Sequence, residues 1–192
     1  MDISFELIFV SLIDGLLLGF VYGIAAMGMT LIWGVMDVIN LSHGPIIALG
    51  MFGVYLAFNS FGWNPYLIIV IVALAGLLLG MLIYGIAVHR VINAPHLSTL
   101  LATFSINLII IGIGTAAFST APRNVDFTLG NFSIGPITLL WTRVIAALLA
   151  ILATGSLYFF LYKTRPGRYV RAVANNRKAA ELVGVPSTKI LA

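Results

Sequence analysis

Long apolar runs separated by short polar breaks dominate the chain. At about 1.5 Å per residue, a helix needs about 20 apolar residues to cross the hydrocarbon core of a bilayer. The runs predict five membrane regions, at residues 7–35, 45–58, 65–88, 97–118 and 137–162. Pro45 and Pro65 open two of these regions, where the first turn of a helix tolerates proline. The breaks between the later regions lie at residues 59–62, 93–95 and 119–135.

The first two regions are respectively too long and too short to be single perpendicular crossings. Between them lies a broken segment, residues 34–45, which mixes polar residues with helix breakers. Irregular backbone at membrane depth survives only against protein or water, and interrupted apolar segments mark transport sites. The candidate pathway residues in this broken segment are Asp37, Asn40, Ser42, His43 and Gly44. An ordinary surface turn, with Asn40 or Ser42 as the N-cap of the next helix, is equally compatible with the pattern.

A basic segment, residues 163–189, follows the last apolar region. Its Pro166-Gly167 pair is turn chemistry, and apolar residues then recur at helical spacing on both sides of Asn175-Asn176. Gly184 and then Pro186 end the pattern. The basic segment is therefore predicted to form two short amphipathic helices with a hinge between them.

The second of these short helices carries a small apolar face, formed by Ala179, Leu182 and Val183. A helix of about eight residues is unstable alone in water, so it must lie on a membrane surface or in a groove of a partner protein. The face has no Trp or Phe to anchor it in lipid. That absence favours the protein groove.

Composition decides the class of protein. Of the 192 residues, 61% are hydrophobic and 8% are charged, whereas soluble domains carry about 25% charged residues. The apolar runs are continuous, which favours helices over the alternating strands of a barrel. We expect an all-α integral membrane protein, a polytopic helical bundle of about five spans over residues 1–162, followed by the basic segment. Residues 190–192 resemble the start of a further span, so the sequence is expected to be truncated.

The positions of the cations predict the orientation. Seven of the ten Lys and Arg residues lie in the basic segment, which places it on the cytoplasmic side. Counting back through five crossings puts the Asn93 loop inside and residues 119–135 outside, with Arg123 as their one basic residue. The N-terminus is then outside, and Arg143 is expected to extend outward to the interface.

Small residues recur at four-residue spacing on the first and third regions. Such faces let helix backbones approach closely in lipid, although glycine is common in membrane helices in any case. The packing candidates are Gly15, Gly19, Gly23, Gly76 and Gly80.

Two acids lie in or beside apolar regions. An ionisable group within a span is a functional candidate by default. Asp14 is interpreted as an interfacial residue in preference to one paired with a polar group on another helix. Asp37 lies in the broken segment, where it could help to shape a gate.

The residue types for catalysis are not assembled in this sequence. There is no phosphate-binding Gly-x-x-x-x-Gly-Lys-Ser/Thr run, so ATP chemistry would belong to another chain. Cysteine is absent, and the three histidines lack metal-ligand spacing. Neighbouring Ser42 and His43 with Asp14 do not amount to a triad. We expect no enzymatic activity, no cofactor or metal on this chain, and no nucleic-acid partner.

Three stretches together resemble one family. Residues 15–36 are similar to its opening helix, residues 38–44 to its Asn-x-x-His-Gly signature, and residues 164–185 to its cytoplasmic coupling segment. The family comprises the membrane permeases of ABC importers for branched-chain amino acids. The resemblance spans the chain, although family members usually continue for several more helices.

The resemblance implies a heteromeric importer in the bacterial inner membrane. Two permease subunits, two ATP-binding subunits and an extracytoplasmic amino-acid-binding protein would act together in the lipid bilayer. Residues 176–184 would then be the coupling helix that enters a groove of the ATPase. The coupling residues implied are Arg165, Gly167, Arg168, Asn176, Ala179, Ala180, Leu182, Val183 and Gly184.

Three alternatives remain open from the sequence. An ion-coupled secondary carrier would use Asp14 and Asp37 to hold the coupling ion. A permease of the same family could carry urea or short amides. A purely structural membrane scaffold would carry no substrate.

Overall fold

The computed structural model describes residues 5–134 and 137–191. The long helices are α1 (Phe5–Met36), α2 (His43–Phe61), α3 (Pro65–Ile83), α5 (His96–Phe118) and α6 (Trp141–Lys163). A π-helical turn, Tyr84–Val88, and the short helix α4 (His89–Val91) continue α3. The remaining elements are strands β1 (Asn131–Ile134) and β2 (Ile137–Leu140) and helices α7 (Arg165–Asn175), α8 (Arg177–Leu182) and α9 (Ser187–Leu191).

The five predicted spans are confirmed as five helices long and apolar enough to cross a membrane: Ile8–Met36, His43–Phe61, Pro65–Val91, His96–Phe118 and Trp141–Lys163. Their outward side chains are large and apolar. Leu67, Leu78 and Leu152, for example, are 68%, 63% and 65% exposed. A water-soluble protein rarely leaves so much contiguous apolar surface uncovered, whereas lipid solvates it. The chain is a polytopic helical membrane protein.

Two predicted boundaries are wrong. Residues 59–61 do not interrupt the helix, because α2 continues to Phe61. It ends at Gly62, whose φ of +65° is a left-handed conformation that glycine adopts without strain. Residues 137–140 do not begin the fifth span, because they pair as a strand with residues 131–134. The break predicted at 93–95 is confirmed, and Asn64 caps α3 by accepting the Tyr66 N–H at 3.0 Å. Residues 1–4, 135–136 and 192, on which other predicted limits depend, lie outside the described residues.

The chain divides into two compact units. The first comprises Met1–Thr30 and Phe127–Ala172, and the second comprises Leu31–Asp126 and Val173–Ala192. In the first unit, β1 and β2 form an antiparallel hairpin in which Asn131 lies opposite Leu140. The Phe132 ring packs 4.5 Å from that of Trp141, the first residue of α6. The hairpin therefore leads directly into the fifth span.

Asp14 on α1 and Arg143 on α6 form an ion pair within the first unit, and the Arg143 guanidinium donates to the Asp14 carboxylate. Their side chains are 34% and 39% exposed in the chain. Asp14 thus has the partner on another helix that the sequence interpretation set aside, and that partner is Arg143, the third residue of α6. Each charge cancels the other, which lowers the cost of placing both on apolar helices.

The second unit contains most of the fully buried side chains. Helices α2, α3 and α5 pack together, with Ile68 on α3 only 1% exposed. Val38 and Ser42, in the broken segment, are 2% and 0% exposed. The core of this unit therefore includes non-helical backbone.

The five predicted packing glycines have open surroundings. In the described part of the chain, a Cβ added at any of them would meet nothing within 4 Å. Their role in helix packing stays a prediction, and a partner surface for them would have to come from elsewhere.

Replacing Asp14 or Arg143 with Ala should lower stability, because each variant leaves a charge unpaired on an apolar helix. We expect a coupling energy of about 1–3 kcal/mol between the two sites in a double-mutant cycle. The measurement is denaturant unfolding in mixed micelles. Arg90→Ala, which removes an exposed cation, is the matched control. Additive effects of the two substitutions would contradict the pairing.

Candidate functional site

Helix α1 ends abruptly at the broken segment. Asp37 adopts a left-handed conformation, with φ of +55°, while its N–H still donates to the Trp33 carbonyl at 2.8 Å. Asp tolerates this conformation better than most residues. The Asp37 carboxylate lies 3.7 Å from His96, the first residue of α5, but both side chains are about three-quarters exposed. This contact is therefore screened by solvent and contributes little stability.

Thr103 of α5 holds the irregular backbone in place. The single proton of its hydroxyl is shared between the carbonyls of Ile39 at 2.9 Å and Leu100 at 3.1 Å, and its oxygen accepts the Leu41 N–H at 3.3 Å. The Thr103 side chain is 1% exposed. A single hydroxyl thus satisfies a donor and an acceptor that the interruption of the helix leaves without helical partners.

The turn into α2 is closed by Asn40. Its side-chain oxygen accepts the Ser42 N–H at 3.0 Å and the Ser42 hydroxyl at 2.6 Å. Ser42 is the N-cap residue of α2, yet its own side chain makes no capping hydrogen bond to the helix. Asn40 forms an Asx turn that replaces a conventional cap.

This contact leaves both sequence interpretations open, since Ser42 is the N-cap residue of α2, as the surface-turn interpretation expects. Thr103 is the eighth residue of α5, roughly 10 Å along the helix axis from His96. Val38 and Ser42 are buried, whereas Asp37, Ile39 and Leu41 are exposed. The non-helical part, residues 37–42, is narrower than the predicted broken segment, because α1 continues to Met36 and α2 begins at His43. One face of this part packs against α5 through Thr103.

Thr103 was not among the residues predicted from the sequence. It stands four residues after Thr99, and both are buried, at 1% and 4% exposure. Two hydroxyl residues at i and i+4 on one face of an apolar helix were the available signal. Of the predicted pathway residues, Asn40 and Ser42 bond to each other. A Cβ added at Gly44, in contrast, would meet nothing within 4 Å among the described residues.

A cavity of about 900 Å³ lies within the second unit, between α2, α3, α5 and the segment that follows α5. Its walls are apolar and include Phe52, Ile69 and Ile110. Polar groups lie where α2 and α5 approach residues 119–125. There the Arg123 guanidinium donates to the Tyr55 hydroxyl at 3.4 Å and lies 5.8 Å from the centre of the Tyr55 ring.

The basic segment forms the two predicted helices, but Pro166-Gly167 is not a turn before them. Both residues lie in the first turn of α7, where Thr164 accepts the Gly167 N–H at 3.1 Å through its side chain. A Cβ at Gly167 would overlap the Phe160 carbonyl oxygen and lie 2.6 Å from the Leu161 Cα. Only glycine fits this corner between α6 and α7.

Asn176 separates α7 from α8 and caps the second helix, accepting the Ala179 N–H at 3.0 Å. Arg177 donates to Glu181 and to the Asn93 side chain, both at 3.2 Å. Gly184, with φ of +84°, ends α8, and the Val185 N–H donates to the Ala180 carbonyl at 3.0 Å. The hinge and stop predicted from Asn176 and Gly184 are thus present in the structure.

The predicted apolar face of α8 is uncovered in the chain. Leu182 is 89% exposed and Val183 78% exposed, and Ala179 is also exposed. Ala180 is buried at 4% exposure, so it supports the segment from within rather than offering a surface. Arg165 and Arg168 are exposed on α7.

Glu181 has a hydrogen-bonded carboxylate at the junction of α8 and α9. The Ser187 hydroxyl, together with Arg177, holds the pKa of Glu181 below its ordinary value. The side chain therefore remains ionised at neutral pH. Among the residues that the structure describes, no three His, Asp or Glu side chains gather into a group that could hold a metal ion.

Residues 11–192 match the family described as the branched-chain amino acid transport system / permease component. The chain belongs to this family. The family and the five apolar helices identify it as a multi-pass protein of the inner membrane.

Individual relatives agree with the family match at low identity. The permease protein BraD of Pseudomonas aeruginosa is 22% identical over 94% of this chain and 64% of its own length. LivH of Escherichia coli K12 is 27% identical over 93% of this chain and 63% of its own length. The fructose import permease protein FruG of Bifidobacterium longum is 30% identical over 77% of this chain and 44% of its own length.

The chain spans somewhat less than two thirds of the length of the branched-chain amino acid permeases that it matches. No solved structure matches it.

Thr103→Val should destabilise the protein by about 1–3 kcal/mol, because it removes the hydroxyl at almost unchanged volume and leaves the Leu41 N–H without its partner. Thr103→Ser should retain most of the stability. Thr115→Val is the control, since that exposed hydroxyl bonds only within its own helix. Thermal unfolding in detergent measures the difference. Equal losses of stability at positions 103 and 115 would contradict a stabilising contact between Thr103 and the broken segment.

Ser187→Ala should raise the pKa of Glu181 toward its ordinary value, since the largest cause of its lowering is removed. Glu6 and Glu181 are the two glutamates of the sequence, so carboxyl-¹³C labelling gives two NMR titration curves in nanodiscs. Glu6→Gln assigns them.

The sign of the accompanying stability change follows from the lowered pKa. The contact between Ser187 and ionised Glu181 stabilises the segment above the unfolded-state pKa and is lost as the pH falls through the lower folded-state pKa. In Ser187→Ala this acid-dependent loss should shrink. An unchanged Glu181 titration in Ser187→Ala would show that the hydrogen bond does not form.

Proposed function

We propose that this chain is the permease subunit of an ATP-binding-cassette importer that moves branched-chain amino acids into the cell. The observation that carries the proposal is the family match over residues 11–192, which includes the whole basic segment. BraD and LivH, which are similar to nearly all of this chain, are named as permeases of high-affinity branched-chain amino acid transport systems.

The uncovered face of α8 supports a partner ATPase. Exposed Leu182 is the last residue of a six-residue helix, and exposed Val183 follows it as the C-cap. A helix this short could not persist alone in water. The helix is held instead by the Asn176 cap and by Arg177, which also bonds to the Asn93 side chain. A short, well-supported helix with two exposed aliphatic side chains at its end suits insertion into a groove of another protein.

Motion at α8 would be transmitted along the chain through α7 to α6. The corner between α6 and α7 is closed by Thr164 and admits no side chain at Gly167. Thr164 is the one residue between α6 and α7, so the two helices follow each other without an intervening loop. ATP binding and hydrolysis in the partner would thus bias the last span between two states, which is alternating access.

The remaining subunits follow from the same proposal. A second permease subunit would complete the pathway, and an extracytoplasmic binding protein would deliver the amino acid. ATP would be bound by the two ATP-binding subunits and not by this chain. Asp14, which an ion-coupled carrier would need, is already occupied by Arg143, so nothing in the structure favours that alternative.

The substrate is the least constrained part of the proposal. FruG is named as a permease for fructose, so chains similar to this one carry chemically different cargo. Competition of radiolabelled leucine uptake by valine, urea, acetamide and fructose, tested in cells, would separate these substrates. Inhibition by valine alone is the expected result.

Leu182→Asp should remove the partner ATPase while leaving the fold intact, because the side chain is 89% exposed. We expect at least about a tenfold loss of nucleotide-binding subunit co-purified with the tagged chain, and a similar loss of leucine uptake. Thr188→Asp, which adds the same charge at an exposed position of α9, is the matched control.

The energy source is tested in the same cells. Uptake should stop when ATP is depleted by arsenate and persist when an uncoupler collapses the proton gradient. Uptake that follows the gradient, or a wild-type chain that co-purifies with no ATP-binding subunit, would overturn the proposal.

A further inference from the structure

The cavity of the second unit has the size of a small-molecule site. Its volume of about 900 Å³ lies within the roughly 300–1,000 Å³ typical of such sites. Apolar side chains from three helices form its walls, and the polar groups lie toward residues 119–125. A ligand that fits would have an apolar body and one polar end.

The polar end of the cavity carries a cation without an acidic partner. Among the residues that the structure describes, Arg123 has no carboxylate within ion-pair distance, whereas Arg143 and Arg177 are both paired with acids. Its contacts are long bonds to two neutral acceptors, the Tyr55 hydroxyl at 3.4 Å and the Phe118 carbonyl at 3.5 Å. These leave most of the guanidinium donors available.

The surroundings hold Arg123 at this end of the cavity. Phe118 stacks on Phe52 with ring centres 4.1 Å apart, which fixes the end of α5 against α2. The Tyr55 hydroxyl and ring then lie beside the guanidinium. Arg123 is itself exposed, so a ligand can reach it from water.

We infer that Arg123, with the Tyr55 hydroxyl, forms the carboxylate subsite of a ligand site in this cavity, and that its ligand is a small carboxylate with an aliphatic side chain. A guanidinium presents two parallel N–H donors to a carboxylate, and the apolar walls accept the aliphatic part. The choice of ligand class rests on the proposed function, since branched-chain amino acids combine a carboxylate with an aliphatic side chain. The site lies on the side predicted to face outside, where substrate would enter.

The test measures equilibrium binding to the purified chain in nanodiscs, with no ATP and no other subunit. Radiolabelled leucine should bind, 4-methylpentanoate should compete because it keeps the carboxylate and the aliphatic group, and 3-methylbutylamine should not. Arg123→Gln should weaken leucine binding at least about tenfold, and Arg123→Lys should weaken it less. Arg90→Gln, at an exposed position remote in sequence from the cavity, should bind as the wild type does.

The location is tested with cysteines, which the chain lacks. Ala121→Cys, at the cavity, should be protected by leucine from a water-soluble maleimide, and Ser133→Cys, exposed on β1, should not. Competition by the amine, binding unaffected by Arg123→Gln, or no leucine binding to the wild-type chain would each overturn the inference. An Ala121→Cys thiol that stays unreactive without leucine would do so as well, since another helix would then cover the cavity.

The two proposals fail separately. Loss of leucine binding in a chain that still recruits its ATP-binding subunit would remove this subsite and leave the importer intact. Leucine binding in a chain that recruits no such subunit would retain the subsite and remove the ATP-driven mechanism.

Discussion

A backbone that leaves the helical conformation between two apolar helices must find new partners for its buried N–H and C=O groups, and this requirement shapes the start of the second unit. Between α1 and α2 the requirement is met by one side chain, since Thr103 serves both Ile39 and Leu41. The Asn40 side-chain oxygen accepts hydrogen bonds from both the N–H and the hydroxyl of Ser42. These few polar atoms allow the chain to interrupt a hydrophobic passage and still bury Val38.

Charged residues on the apolar helices and charged residues on the basic segment have different surroundings. On the apolar helices of the first unit, Asp14 and Arg143 neutralise each other. On the basic segment the cations remain mostly exposed, with Arg177 bonded to Glu181 and to Asn93. The first arrangement makes the charges acceptable to lipid, and the second leaves a solvated surface around the aliphatic residues of α8.

Periodicity and run length were sufficient to predict five spans, the break after α1 and the two short helices of the basic segment, because each depends on local patterns. Asn176 and Gly184 could be assigned as cap and stop for the same reason. Thr103 and the pairing of Asp14 with Arg143 could not, because they join residues 62 or more positions apart in the chain. The hairpin before α6 was missed since Ile137–Leu140 is as apolar as the span that follows it.

That hairpin also marks where the bilayer begins. A two-stranded ribbon has an unpaired edge on each side, and such edges cannot be left facing hydrocarbon. The acyl chains must therefore start beyond Leu140, close to the ring of Trp141. From there the 23 residues of α6 cover roughly 35 Å, enough to cross a core of about 30 Å with little tilt and to deliver Lys163 to the opposite headgroups.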